Sequence, residues 1–540
     1  MKRRSFIKSA ASVSAAAGAG VFSILKYPRG AHAAGWGAWP MDDKAKAAAF
    51  LPTELQPEGV LELHVNGGMS CFDTFYTIPE FGQDDYRFMW IFDENAPAAE
   101  GRPIIDTLQG RWASCQTGYD SMVRSLEVTD GGGNEIHMGP WTWPFWSRPD
   151  VMARMRIVVT SHDVVAHEGA NPESFTGLGL GNPRMAGLGT AIQRYFTENE
   201  DAKGGGGIRP APYSYVLYPA GYAPFNAVAA SAVGAHPGSA RPLVVSVEPD
   251  SELTNLLART ATTDTESFDA AVAYYRAQYS ARLRSYGHSS VARSAERENY
   301  DFSAYARENA PVLTDILSPD LFNTIVPPAT ACQTNTGAAD DMPAMQARLA
   351  SSLLTRQENS ARYVLWIDAG LQPRPTGGHD VHSASIRYNA TNYSHTFSAL
   401  LDNIVDPMNE RPGDENRIDL DRHMVVINTE FGRQPVQQGN STGTNHHPFG
   451  YVQILIGGPI QHEMLVGNSP TPSVYGEIQE SDGYAVTSVS PAQSRMMILQ
   501  AMGIYPFSTQ SYNVSDGGFL DEAQAAAAIR NDFLGINVEV

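Results

Sequence analysis

Cysteine is scarce in this chain. Its 540 residues hold three, Cys71, Cys115 and Cys332, far apart and with no Cys-x-x-Cys pair. That spacing excludes a cysteine zinc cage and a disulfide framework. One disulfide with one free thiol, or three buried thiols, both stay open. Long apolar runs are missing after residue 33: no stretch reaches the ~20 residues that span a bilayer. Positive charge is also short, with 38 Lys and Arg against 58 Asp and Glu and a net charge of -20. Residues 1–33 hold six basic residues and no acid, so without them the charge falls to -26. Bulk electrostatics therefore argue against nucleic acid or an anionic membrane as partner, and a solvated acidic surface is the simplest account.

What is present begins with the N-terminus. Lys2-Arg3-Arg4-Ser5-Phe6-Ile7-Lys8 precedes an Ala/Gly/Val run from Ala10 to Leu25, and Ala31-His32-Ala33 is a small-x-small cleavage site. The pattern resembles a twin-arginine export signal over residues 1–33; an ordinary basic signal peptide is the alternative. The expectation is a partner in the twin-arginine translocase, export in the folded state, and a soluble protein in the periplasm or outside the cell.

At 42% hydrophobic the chain can bury a large core, and residues 34–540 are read as one domain. Apolar β-rich runs at Val60–Val65, Met155–Thr160, Tyr213–Tyr218, Leu243–Val247, Tyr363–Ile367, Met424–Ile427 and Val452–Ile456 predict strands buried on both faces, as in a parallel sheet. A short helix is expected near Asp43–Phe50, and further helices over Pro183–Phe196, Glu266–Leu283 and onward toward Asn309, Met342–Arg356, and Met496–Met502 after the start signal Ser490-Pro491. Phe268, Val272, Tyr275, Tyr279 and Leu283 give the second of these an apolar stripe. Residues 79–134 read as loops with short helices, and the four-glycine stretch of 201–212 as a flexible loop. Trp141, Trp143, Phe145 and Trp146 among prolines read as a packed corner more than a ligand site. Strands separated by helices argue for a three-layer α/β/α sheet, with a helical cap or insertion over about 251–345.

The chemistry gathers at strand ends, where such sheets bind ligands. Asp73 follows the first strand, His162 and His167 the second, Asp380 and His382 a later one. Glu430 follows Met424–Ile427, and a polar loop from Gly439 ends in His446-His447. Carboxylates mixed with neutral imidazoles suit a divalent transition metal, zinc, manganese or iron, whereas calcium would take all oxygen. Two such clusters could hold two ions, acidify a water and clamp a small anionic ester. For any one of these side chains a turn, a cap or a core contact is the plainer role; their common edge is what joins them.

Four motifs in order carry a resemblance: Asn66-Gly67-Gly68-Met69-Ser70-Cys71-Phe72-Asp73-Thr74-Phe75, Gly378-His379-Asp380-Val381-His382, Glu430-Phe431-Gly432-Arg433 and Gly443-Thr444-Asn445-His446-His447-Pro448. From about 58 to 505 the chain resembles the secreted bacterial domain-of-unknown-function 1501 family. That family is commonly exported by the twin-arginine route and is similar to the alkaline phosphatase and sulfatase superfamily. The resemblance implies an alkaline phosphatase-like fold and a metal-dependent hydrolase of phosphate or sulfate esters. Carried over residue by residue, it implies metal ligation by Asp73, by the pair Asp380 and His382, by Glu430, and by His446. The segment His167 to Gly177 matches the part that carries the nucleophile, which makes His167 a candidate catalytic residue. Arg433 would stabilise the charge on a transferred group. Phe431 stands where the superfamily has a metal-binding histidine, Asn445 where this family usually has Asp, and no Ser, Thr or Cys is clearly placed as nucleophile. A catalytically degenerate binding or cell-envelope assembly protein on the same fold is the alternative.

Overall fold

The computed structural model describes residue 37 and residues 51–78, 126–129, 133–198 except 183 and 185, 214–219, 242–247, 265–285, 342–357, 360–370, 379–380, 382, 387–438, 443–468, 484–507 and 511–536. Within them run the strands β1 (Gly59–Val65), β2 (Leu126–Thr129), β3 (Glu135–Met138), β4 (Met155–Thr160), β5 (Tyr215–Pro219), β6 (Leu243–Val247), β7 (Tyr363–Asp368), β8 (His423–Asn428), β9 (Gly432–Gln437), β10 (Thr444–His447), β11 (Tyr451–Gly457) and β12 (Met464–Val466). The longer helices are α1 (His167–Thr176), α2 (Leu188–Glu198), α3 (Thr265–Ser285), α4 (Met342–Thr355), α5 (Arg387–Asp402), α6 (Pro491–Ala501) and α7 (Glu522–Ala528).

Eight strands form one sheet in the order β12-β4-β11-β8-β1-β7-β5-β6. Its neighbours pair in parallel except at β11, which is antiparallel to both β4 and β8. Seven strands therefore point one way and β11 runs against them. The sequence reading put β8 and β11 in a parallel sheet; they are neighbours, but antiparallel. The cause lies between them. A parallel return needs a crossover, usually helical, from one end of the sheet to the other. Here β9 and β10 form a separate two-stranded ribbon, so the chain re-enters the sheet at the edge it left.

Alternation along β1 sends Leu61, Leu63 and Val65 into one core with Trp366, Leu349 of α4 and Phe397 of α5. Val60 enters the other with Leu365, Met424, Ile192 of α2 and Met496 of α6. Helices thus cover both faces of the sheet, and this is a mixed α/β fold rich in parallel pairs. Glu62 and His64 share the face of Val60 by the same period of two, and both are fully buried. Glu62 accepts from Arg495 of α6 at 2.7 Å and from Asn428 Nδ2 at 2.8 Å, with the Tyr363 hydroxyl as a further donor. The aromatic corner is packed: Trp141 stacks on Tyr393 with ring centroids 5.5 Å apart, and Phe145 meets Phe75 edge-on.

Several expectations change. The stretch read as loops with short helices ends in the antiparallel pair β2–β3, with Leu126 opposite Met138 and Thr129 opposite Glu135. The polar loop before His446-His447 closes into β10, paired with β9. Helix α2 begins at Leu188 rather than Pro183. Helix α3 forms, but Tyr275 and Tyr279 of its expected apolar stripe face solvent, since helical period fixes a stripe and not its cover. The expected export signal 1–33, the helix near 43–50, the glycine loop 201–212, most of the insertion 251–345, Cys115 and Cys332 lie outside the described residues. Cys71 is buried and free. No described helix is long and apolar enough to cross a membrane.

Candidate metal centre

Parallel strands deliver their chemistry to one edge of the sheet. β4 ends at Thr160, and the chain passes His162 before His167 opens α1. β7 ends at Asp368, whose Oδ2 accepts from His379 Nε2 at 2.7 Å and from Thr396 Oγ1 at 2.6 Å. That anchor fixes the stretch holding Asp380 and His382. β8 ends just before Glu430, and the β9–β10 register sets His446 opposite Arg433. Gly67, at φ 115°, lets the turn after β1 pass against this stretch: a Cβ there would lie 2.5 Å from the Asp380 backbone nitrogen.

One donor atom from each of His167, Asp380, His382 and His446 lies within 4.8 Å of the others. The Nδ1 of every imidazole is held from outside. His167 Nδ1 lies 2.8 Å from Glu430 Oε1 and His382 Nδ1 2.9 Å from Gln438 Oε1, while His446 Nδ1 faces the Val165 carbonyl. Each partner accepts, so each Nδ1 carries a proton and each Nε2 turns inward. His382 Nε2 and His446 Nε2 stand 2.7 Å apart; His382 Nε2 is 3.3 Å from Asp380 Oδ1, and His167 Nε2 is 3.5 Å from Asp380 Oδ2. Phe431 stacks on the His446 ring at 4.1 Å and packs on His167 at 4.8 Å. The group opens to solvent, since the Asp380 side chain is 43% exposed.

Charge is uneven across it. Burial would lower the His167 pKa, but Asp380 and Glu430 outweigh burial and raise it to about 9. Burial would raise Asp380 and Glu430; His167 and Arg433 hold Asp380 well below the usual carboxylate range, and His167 and His64 do the same for Glu430. Burial, then the Arg433 charge, lowers His446 to about 4. Two carboxylates thus face one guanidinium and a His167 ring that stays protonated at neutral pH until a cation takes its Nε2. Two imidazole lone pairs 2.7 Å apart repel unless a proton or a cation lies between them, and three nitrogens with one carboxylate suit a transition ion. The residues present fit such an ion.

The residues singled out from sequence take different places. Asp380, His382 and His446 come together, joined by His167. Glu430 stands behind His167, fully buried, with its carboxylate directed to His167, His64 and the Gly67 N–H. Asp73 is outside the group: its carboxylate accepts from Ser70 Oγ at 2.6 Å. Arg433 is buried, donates to Asp380 Oδ1 at 2.6 Å and to the Thr444 carbonyl at 3.1 Å, and also meets the Gly67 carbonyl. His162 donates to the Glu430 carbonyl at 2.7 Å. Sequence reasoning missed His64, which nothing in the run Val60–Val65 marked; the paired glycines after that run do mark a tight turn or close backbone approach, and Gly67 makes one.

Residues 329–494 match the model of a family described as "Protein of unknown function (DUF1501)". This match supports the DUF1501 family. The DUF1501 segment contains Asp380, His382, Glu430, Arg433 and His446, whereas Asp73 and His167 precede it. No curated protein and no solved structure matches the chain.

Proposed function

We propose that this chain is an exported, metal-dependent hydrolase of phosphate or sulfate esters. A divalent transition ion would be held by His167 Nε2, His382 Nε2, His446 Nε2 and Asp380 Oδ2. The observation that carries the reading is the inward turn of three Nε2 atoms whose Nδ1 atoms are all engaged elsewhere. The alkaline phosphatase-like architecture and the twin-arginine route belong to the same proposal. They are supported by the family resemblance, by a parallel-rich sheet with its chemistry at one edge, and by the basic leader motif.

Bound there, the ion supplies Lewis acidity toward an ester oxygen and toward water. The chain does the rest. Arg433 occupies Asp380 Oδ1 and leaves Oδ2 turned inward. With His167 neutral as a ligand, the carboxylates of Asp380 and Glu430 and the Arg433 guanidinium sum to one negative charge. A dication reverses that sign, and a site of net positive charge suits an anionic ester. Phe431 keeps the His446 and His167 rings from turning. One observation favours a catalytically degenerate binding or cell-envelope assembly protein instead: the buried Arg433 already neutralises Asp380.

Metal analysis of the exported protein, with a screen of phosphate mono- and diesters and sulfate esters, tests both readings. Bound zinc, manganese or iron near one equivalent, lost in Asp380→Ala, is the expected result. Metal content unchanged in that variant would refute the centre. Stoichiometric metal without turnover of any ester would favour the binding protein.

A further inference from the structure

Glu430 is fully buried, yet donors meet its charge on two sides. The Gly67 N–H reaches Oε1 at 2.7 Å, and His167 Nδ1 reaches the same oxygen at 2.8 Å. His64 Nε2 lies 3.3 Å from Oε2. His64 is also fully buried, projects from the central strand β1, and packs its ring on Phe175 at 4.4 Å. Its Nε2 is 3.0 Å from Asn171 Oδ1 as well. Both neighbours accept, so the His64 proton sits on Nε2. Asn171 follows His167 by one helical turn in α1, where residues four apart share a face. The helix thus closes on the His64–Glu430 pair from two positions.

We propose that His64 and Glu430 are positioning residues for His167. They hold its ring with Nδ1–H on the carboxylate and Nε2 turned to the cation site. This deepens the metal-centre reading and rests on it. A buried imidazole in an apolar layer is costly unless its polar atoms are used; here Nε2 is spent on Glu430 and Asn171, while Nδ1 is buried without a partner. A carboxylate behind a ligating histidine fixes tautomer and ring orientation and makes the inward nitrogen a better donor. Neither residue touches the cation. In chain order these are β1, then α1, then the turn after β8, so three separate elements define the direction of one lone pair.

Two readouts on the full chain test this. The first is cobalt(II) affinity, followed by its visible absorption. Glu430→Gln should weaken binding about 10- to 100-fold, the range for removal of such outer partners. His64→Leu should also weaken it, and His64→Gln, whose amide can donate to the same carboxylate, should recover most of the loss. The second readout needs no metal: a solvent-protected imidazole N–H proton signal far downfield of the amides, identified by its loss in His167→Gln. It should be present in the metal-free wild-type protein and vanish in Glu430→Gln. If wild type shows that signal but binds no cobalt, the metal centre falls and the positioning pair stands. If the signal is missing from wild type, or Glu430→Gln and His64→Leu both bind cobalt like wild type, the positioning role is overturned. The His167→Gln comparison does not depend on a buried variant folding.

Discussion

Burial lifts the Asp73 carboxyl to about 7 against the opposing hydrogen bond from Ser70. An unfolded aspartate ionises near 3.8, so the folded chain holds a proton there that the unfolded chain releases. The stabilisation is complete below about pH 4 and fades as pH rises through 7. Asp73→Asn keeps a neutral group in place, so its urea midpoint should decline less between pH 5 and pH 8 than that of wild type. Equal declines would mean that Asp73 does not titrate in that window. The same residue shows why site reading from sequence is partial. Asp73 and Glu430 both follow strands, which is where ligands lie, but strand position does not reveal whether a carboxylate points outward or is claimed by Ser70 or by His167. Asp380 and His382 were legible because acid and imidazole stand two apart after a Gly pair, and His446 because a histidine pair ends a polar loop. His64 was hidden, since the two polar residues of VLELHV read as parts of a strand rather than as a support for chemistry.

At the scale of elements, the turn after β1 passes backbone to backbone against Asp380, with the Gly67 N–H on Glu430 and its carbonyl on Arg433. Gly67 at φ 115° leaves no room for a side chain against Asp380, and a non-glycine residue there costs about 1–3 kcal/mol in strain before any collision. Gly67→Ala should lower the urea midpoint and also reduce bound metal, measured on the same preparation; retained metal at wild-type level would show that Asp380 tolerates the shift. β1 is tied to α6 by Glu62 and Arg495, both buried. Arg495→Met strands the carboxylate and should destabilise by about 3–5 kcal/mol in urea unfolding, with much of the loss recovered in a Glu62→Met/Arg495→Met double variant. If the double variant is no better than the single, the penalty comes from packing rather than from charge. Buried strands were the readable part of the fold, since apolar runs of five or six residues mark them directly. Ser490-Pro491 made the start of α6 readable too, and in the structure Gln493 closes a capping box on Ser490. β10 was not readable: Thr-Asn-His-His has no apolar alternation, and its pairing with β9 is set by a register no local pattern contains.

Across the whole molecule, the sheet pairs strands from distant parts of the chain, with β1 beside β7 on one side and β8 on the other. Chelation should lower the thermal midpoint, because an ion bound by the folded state alone stabilises it, by about 2.7 kcal/mol when free ion is a hundredfold above Kd. A midpoint that ignores both chelator and added zinc, manganese or iron would count against a resident ion. The four donors come from α1, from the stretch after β7 and from β10, and no single fragment holds them all. A cation seated among them therefore acts as a proofreader of assembly. A nascent or clipped chain lacking the β9–β10 ribbon could bury much of its sheet and still fail to retain metal, so occupancy would tell a finished molecule from a merely collapsed one.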